Sequence, residues 1–554
     1  MKPKRPVAWI AGCGLAAVCF LAPSSSAAQQ TRADAEKDPV LKAMLEELDR
    51  SKSDLELPGF EKPFFIEYRV DEEDGFNTRA QFGASLGSSF YRLRGARVTV
   101  RVGDYKSDSS GRGDSVAEFE ALDDDPSALR SALWIATDQA YKGALASYAQ
   151  KQAQLKQVQT PPLADDFSHE KPVVVLQPPR RLLLDPAPWE RMVTQASGLF
   201  LSDPSLQASR RDVQYSTASF SALATTDYLV NSEGSIARTS QTHYDENFSV
   251  GGQAADGMSL DRSYYLAGNA LADLDADQAF DRHAVECIAG LEELRAAPLV
   301  EEEYHGPVLL DADAAAYTLK GMLAQALTAN RPPLGTEART TGPFASSYHA
   351  RVLPEFMDAV DDPGISTFEG RGMAGAFAVD QEGVPAQAVP VVTAGKLENY
   401  LIGRQPVKDF PQSNGHGRAG AAGVAQPAIG VLKISARDGL SDDDLYAKLL
   451  TLAKDRDLSS VYFVESMAGN ATPRLLYKVT QDGKRTLVRG AQLQDMDLRT
   501  LRSGIVAAGK TLFADSQLGN VPQTVLAPAL LLDDITVKRA NEKNDKLPFY
   551  PPPE

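Results

Sequence analysis

The sequence predicts an α+β protein of more than one domain, and three observations carry that prediction. Strand-like alternation recurs along the chain, as at 63–70 (PFFIEYRV), 89–102 and 524–539. Amphipathic helical stretches, such as 189–201 (WERMVTQASGLFL) and 441–454, lie between the strand-rich regions. The chain has 554 residues, 43% of them apolar. At roughly 150 residues per domain that material suits two to four domains rather than one.

The elements follow in order. Residues 29–54 are charged and helical, with Leu41, Met44, Leu45 and Leu48 on one face. Within 89–102, Val98, Val100 and Val102 alternate with Arg97, Thr99 and Arg101, the pattern of a half-exposed strand. Residues 124–158 read as a helical hairpin opened by Asp125-Pro126-Ser127, with proline near the first turn. The proline-rich 159–179 reads as a linker or lid. Residues 212–221 and 227–239 are strand-rich, the second split by Asn231-Ser232-Glu233-Gly234 as a tight turn. A helix at 283–295 and an acidic linker, Glu301-Glu302-Glu303, come next.

The stretch 306–327 (GPVLLDADAAAYTLKGMLAQAL) then reads as a short buried strand, an aspartate cap and a helix. Asp311 or Asp313 can accept the orphan N–H groups of the first turn. Ala316, Leu319, Leu323 and Leu327 make one apolar face. Beyond it, 388–402 forms a hairpin turning at Ala394-Gly395. Ser441 caps a helix, with Asp444 as its partner. Asp482-Gly483 joins two further strands. No repeat occurs at solenoid periods.

The formal charge is −17 and the pI about 5.0. An acidic surface repels phosphate backbones, so nucleic acid is not an expected partner. Lys2, Lys4 and Arg5 precede an apolar run from Val7 to Ala22 and small residues through Ala28, the layout of a secretory signal. The expectation is a signal peptide over 1–28 and an exported, periplasmic or extracellular protein. The alternatives are an uncleaved membrane anchor and lipid attachment at Cys13 of Ile10-Ala11-Gly12-Cys13. Cleavage removes three basic residues, leaving 54 against 74 acidic ones, a charge of −20. Cys13 and Cys19 would leave with it. The remaining Cys287 has no partner for a bridge and reads as a small buried hydrophobe.

On the stretch 306–327, on the Asn-Ser-Glu-Gly turn, on Asp380-x-Glu382-Gly383-x-Pro385 with its following hairpin, and on the loop Asn414-Gly415-His416-Gly417-Arg418, the chain resembles the TldD/TldE (PmbA) family. The resemblance runs from about Phe64 to Arg539. It implies an N-terminal α/β domain (29–205), a larger β-rich C-terminal domain (206–540) and a dimer; by its own composition the tail (541–554) is polar and then proline-rich, hence extended. Zinc-bearing members carry His-Glu-x-x-x-His on the helix placed here at 312–328, and a Cys before the last strand pair. Here those positions fall on Lys320, Gly321, Gln325 and Ala514.

A zinc hydrolase needs three protein ligands, an open position and a general base. An ammonium, a hydrogen, an amide and a methyl group supply none of these. The expectation is a TldE-like member without a cofactor: a non-catalytic subunit paired with a TldD-like zinc peptidase subunit or with itself, or a peptide-binding pseudoenzyme. His349, Arg371, His416 and Arg418 are the candidates for lining a peptide groove. Two alternatives stay open: an active secreted metallopeptidase with relocated ligands, drawing on His349 or His416, and a homodimeric scaffold. Gly83-Ala84-Ser85-Leu86-Gly87 matches a nucleophile elbow by letter but lacks its strand-then-helix context. Gly370, Gly372 and Gly375 match a dinucleotide fingerprint, but no helix follows.

Overall fold

A computed structural model describes residues 30–110, 113–207, 209–275 and 277–540. The expected signal peptide, 1–28, and the tail, 541–554, lie outside the described residues. Among the described residues no helix is long and apolar enough to cross a membrane.

Two sheets organise the chain. The first holds β1 (Phe65–Gln81), β2 (Ala84–Arg101), β3 (Ser115–Phe119), β4 (Val174–Leu176), β5 (Val213–Asn231), β6 (Ile236–Gln253) and β7 (Ser259–Gly268), in the order β3-β2-β1-β5-β6-β4, with β7 also on β6. All pairs are antiparallel except β4 with β6. Period two divides its faces. Tyr68, Val70, Val98, Val100, Phe220, Tyr228, Phe248 and Val250 are buried in two clusters with the helices α2 (Pro39–Asp54), α3 (Pro126–Leu155), α4 (Pro186–Ser202) and α5 (Asp277–Ala296). A four-residue helix, α1 (Arg32–Ala35), precedes α2. The opposite face carries the intervening polar residues, among them Arg69, Asp71, Asp227, Gln241 and His243.

The boundary expected at 205/206 falls inside this sheet, because β5 pairs with β1 from Glu67 to Gln81. The division between sheets comes instead after β7, at residues 269–303. The strand-rich stretches 212–221 and 227–239 cover most of β5 and the start of β6, but a local pattern carries no information on which sheet a strand joins. Residues 124–158 also differ from expectation. They hold one 30-residue helix, not a hairpin. Gly143 at its middle is a point of close approach: a Cβ there would lie 1.8 Å from the Gly113 carbonyl oxygen.

The second sheet has eleven strands, ordered β13-β12-β9-β16-β22-β8-β17-β18-β19, with β20 and β21 also on β22. In chain order these are β8 (Tyr304–Leu310), β9 (Met357–Asp361), β12 (Val389–Thr393), β13 (Lys396–Leu397), β16 (Val431–Ala436), β17 (Ser460–Gly469), β18 (Thr472–Thr480), β19 (Arg485–Val488), β20 (Ala491–Gln494), β21 (Ile505–Gln517) and β22 (Gln523–Arg539). Two small hairpins, β10 (Thr367–Phe368) with β11 (Arg371–Gly372) and β14 (Gly417–Arg418) with β15 (Gln426–Pro427), stand apart. The helices of this part are α6 (Ala312–Leu323), α7 (Asp442–Asp455) and α8 (Leu498–Ser503).

Central β22 pairs with four neighbours and is buried from Val525 to Leu532, which explains its continuous apolar run. Each of its buried leucines contributes about 2 kcal/mol by leaving water. α6 packs on this strand with Ala316, Leu319 and Leu323, all fully buried as expected. It is shorter than the expected 312–328. Ala329 N–H donates to the Leu401 carbonyl and Leu401 N–H to that of Leu327, so the chain leaves the helix to join an extended segment.

Candidate functional site

The helix that would carry a metal motif begins at Asp311, whose carboxylate accepts the Ala312 N–H at 2.8 Å. About two and a half turns on, Lys320 points towards β21. Its Nζ donates to Asp515 Oδ2 at 2.8 Å, and Gln517 Nε2 donates to Asp515 Oδ1 at 2.8 Å. Both side chains of the ion pair are mostly buried, Lys320 at 20% and Asp515 at 12% exposure. α6 and β21 therefore do converge, as the resemblance implies. The residue of β21 that meets Lys320 is Asp515, one position beyond Ala514, because adjacent strand residues face opposite sides.

Gly321 and Gln325 are exposed, and Gln325 lies past the helix in a turn. The nearest atom to a Cβ on Gly321 would be Asn470 Oδ1 at 3.0 Å, so the glycine does not serve close backbone packing. Tested against zinc, this donor set does not fit. The Asp515 carboxylate is engaged by Lys320 and Gln517, among the described residues no imidazole or thiolate joins it, and the ammonium stands where a cation would have to sit. Nearby Asp313 is raised to about 6 by burial and then by the neighbouring Asp515 charge.

The four groove candidates occupy four different settings. His349 is exposed, in the left-handed region at φ 62°, with Nδ1 2.8 Å from Glu398 Oε2. Arg371 lies exposed on β11. His416 is fully buried, its Nε2 3.1 Å from Asp361 Oδ1 and its Nδ1 3.0 Å from the Asn414 carbonyl. Asp361, at the end of β9, also accepts the Gly430 N–H, so it ties the loops of His416 and Gly430 to that strand. His349 and His416 thus have separate partners. Among the described residues no three His, Cys, Asp or Glu side chains gather as a metal-holding group.

Arg418 is different. It is 4% exposed, its guanidinium lies 3.9 Å over the Phe377 ring, and its Nε and Nη1 have no hydrogen-bond partner. Burial lowers its pKa to about 10, which leaves it charged at neutral pH. It lines a cavity of about 920 Å³ between the polar face of the first sheet and loops of the second part. Asp71, Asp227, Gln241 and His243 form the sheet wall. Burial, then the adjacent Asp71, raises Asp227 to about 7. Burial lowers His243 to about 4, so that ring is neutral between Asn269 and Gln241.

The glycine-rich motifs hold the two parts together beside this cavity. Asp380 accepts the N–H groups of Glu382, Val384 and Gly417. The Glu382 carboxylate lies between Gly403 and Gly417, where a Cβ would come within 2.3 and 2.1 Å of its oxygen, and accepts the Arg404 N–H. Arg404 is buried between Phe65 and Phe167, donates from Nη2 to Glu233 Oε1 at 2.8 Å, and pairs its Nη1 with Glu233 Oε2 at 2.8 Å. Glu233 belongs to the Asn-Ser-Glu-Gly turn, in which Asn231 Oδ1 accepts the Gly234 and Ser235 N–H groups. The turn is thus also a latch. Sequence reasoning missed Arg404, Asp515 and the cavity wall. The turn motif was a signal for the first, and strand alternation for the wall.

Comparison with known proteins adds to this geometry. Residues 302–539 match the family model described as the PmbA/TldA metallopeptidase C-terminal domain. No curated protein matches the chain by sequence. Among solved structures, a modulator of a DNA gyrase from Thermotoga maritima is similar at 14% identity and TM-score 0.60, over 90% of this chain and 99% of that one. TldE from Thermococcus kodakarensis is similar at 12% identity and TM-score 0.59, over 89% and 99%. A modulator of DNA gyrase from Bacteroides thetaiotaomicron is similar at 13% identity and TM-score 0.58, over 90% and 98%. At these identities the structures share the fold.

Proposed function

Because the chain belongs to the TldD/TldE (PmbA) family through its C-terminal domain, we propose that it is a metal-free, non-catalytic member of that family. It acts as the partner of a zinc-bearing TldD-like subunit and offers a cleft to peptide rather than cutting it. The observation that carries this reading is the Lys320–Asp515 ion pair at 2.8 Å. Where the motif-bearing relatives place a first histidine, this chain places a cation and neutralises it with an internal carboxylate. A pair this far from water holds best when both members are present, so the arrangement is self-consistent without an ion. The basic, apolar and small-residue order of 1–28 supports export, which would put the complex outside the cytoplasm.

Mixing purified protein with a His-Glu-x-x-x-His paralogue from the same source tests the reading. A stable mixed dimer on size exclusion, with peptidase activity that needs the paralogue's motif, is the expected result. Chelator-sensitive cleavage by this chain alone would instead favour relocated ligands. A homodimer that ignores both paralogue and peptide would favour a scaffold.

A further inference from the structure

The outer edge of the first sheet is open along half of β2. β3 pairs with β2 only from Gly95 to Thr99, and the Glu120 N–H adds one bond to the Arg94 carbonyl. Among the described residues no strand pairs with that edge from Ala84 to Leu93. Residues 84–91 are exposed without a break. Large apolar side chains stand there: Leu86 and Phe90 are 57% exposed, Leu93 45% and Tyr91 38%. Leu183, 90% exposed, is close by, since the Leu182 N–H donates to Asp74, the β1 partner of Arg92. Sheets blunt a free edge with lysine, proline or inward charge, yet the stretch 84–94 holds no Lys, Pro, Asp or Glu. Its one such device is a bulge that leaves Leu86 without a partner on β1, and Ser88 to Leu93 remain regular.

The strand is anchored from within its own chain. The Phe90 ring lies 4.6 Å from that of Phe76, and Tyr91 covers Gly75, where a Cβ would come within 2.2 Å of its ring. The direction of its backbone groups follows from the β3 end. There the Val100 N–H donates to the Asp114 carbonyl, and the Arg94 carbonyl accepts the Glu120 N–H. Pairing with β1 is unbroken from Gly87 to Arg101, so by period two Ser88, Phe90 and Arg92 also turn their N–H and C=O outward. The ends of the chain do not suit this edge. Gln30, where the described chain begins, is bonded to Leu176 of β4 at the opposite end of the sheet. The tail carries Pro548, Pro551, Pro552 and Pro553, which cannot donate to a ladder. A second β2 does suit it. Laid antiparallel about a two-fold axis through Phe90, it sets Phe90 opposite its copy, Ser89 opposite Tyr91 and Ser88 opposite Arg92. The outward groups then face one another and no like charges meet, in a chain whose net charge is −17.

We propose that two copies of this chain pair along β2, antiparallel from Ser88 to Arg92, and so join their first sheets into one. The contact covers the apolar side chains on both faces of the strand and removes the free edge. It is separate from the cleft and additional to any contact with a paralogue, so it does not rest on the peptide-binding reading.

The test is analytical ultracentrifugation of the purified protein alone across the micromolar range, with hydrogen exchange on the same samples. A dimer is expected, in which the Ser88, Phe90 and Arg92 amides exchange slowly. Phe90→Asp sets two carboxylates opposite each other on the axis and should weaken the dimer at least about tenfold. Ser88→Pro removes an N–H that a single chain leaves unused, and should weaken it as well. Unchanged circular dichroism verifies that both variants fold. A protein that stays monomeric throughout the range would overturn the proposal. So would a dimer that neither variant moves, because it must form elsewhere. A chain that is monomeric alone, but whose mixed complex with a His-Glu-x-x-x-His paralogue is lost in Phe90→Asp, would overturn the second copy as occupant. That result would give the edge to the paralogue and leave the proposed function standing.

Discussion

Replacing Glu233 by glutamine tests the latch between the two parts of the molecule. The Arg404–Glu233 pair is among the most buried in the described residues, with side-chain exposures of 1% and 8%. Two contacts of 2.8 Å join the guanidinium to the two carboxylate oxygens. The substitution keeps the shape and removes the charge, so Arg404 stays buried without its anion. Breaking a buried pair from one side costs about 3–5 kcal/mol. Arg404 retains the Ser168 carbonyl and the faces of Phe65 and Phe167, which places the expected loss near the lower end, about 3 kcal/mol. Arg404→Met alone strands Glu233 with only the Tyr105 hydroxyl and costs a similar amount. The double variant removes both charges, so the two losses do not add; a coupling of about 2 kcal/mol is expected. The assay is urea unfolding of the four proteins, read at the first cooperative transition. A Glu233→Gln loss below about 1 kcal/mol, with additive effects, is the behaviour of an exposed pair and would refute the reasoning.

Two further outcomes follow from the same geometry. Asp227 is raised to about 7 by burial and by Asp71, whereas an unfolded aspartate titrates near 3.9. The folded state therefore holds a proton that the unfolded state has released, and stability falls as pH rises from about 4 through 7. Asp227→Asn should flatten that slope in melts taken across the range, and an unchanged slope would show that the carboxyl is ionised throughout. Gly321→Ala should stabilise the protein by about 0.5 kcal/mol, the helix-propensity gain of about 1 less the cost of moving the Asn470 amide 3.0 Å away. A loss measured by the same urea unfolding would mean that the glycine is required where it stands.

Local structure was legible in the sequence wherever one periodicity ruled. The helix face of Ala316, Leu319 and Leu323 and the cap at Ser441 with Asp444 are as the sequence reads, whereas Leu327, also buried, lies beyond the helix. So are the turns at Asn231–Gly234, Ala394-Gly395 and Asp482-Gly483. Burial of Cys287, with its thiol pushed up to about 11, was equally plain. Gly83 falls in the β1–β2 turn, with Phe82 and Gly83 both at positive φ, and no helix follows it or Gly375.

What alternation could not convey was partnership at long range. Nothing local tells that β5 joins β1, that Glu233 reaches Arg404 across 171 residues, or that Asp515 rather than Ala514 meets Lys320. His416 and Arg418, two residues apart, shared one expectation. In the structure they part: the histidine ties its loop to the end of β9, and the arginine lines a cavity.

The most direct test of the account is the metal content of the purified protein. Expressed with added zinc, freed of tags that bind metal and measured by mass spectrometry, the chain is expected to carry zinc far below one per molecule. Lys320→Met, which removes the competing cation, should leave it so. One tightly held zinc per chain, lost on substitution of Asp515, would contradict the claim that an ion pair has taken the place of a metal.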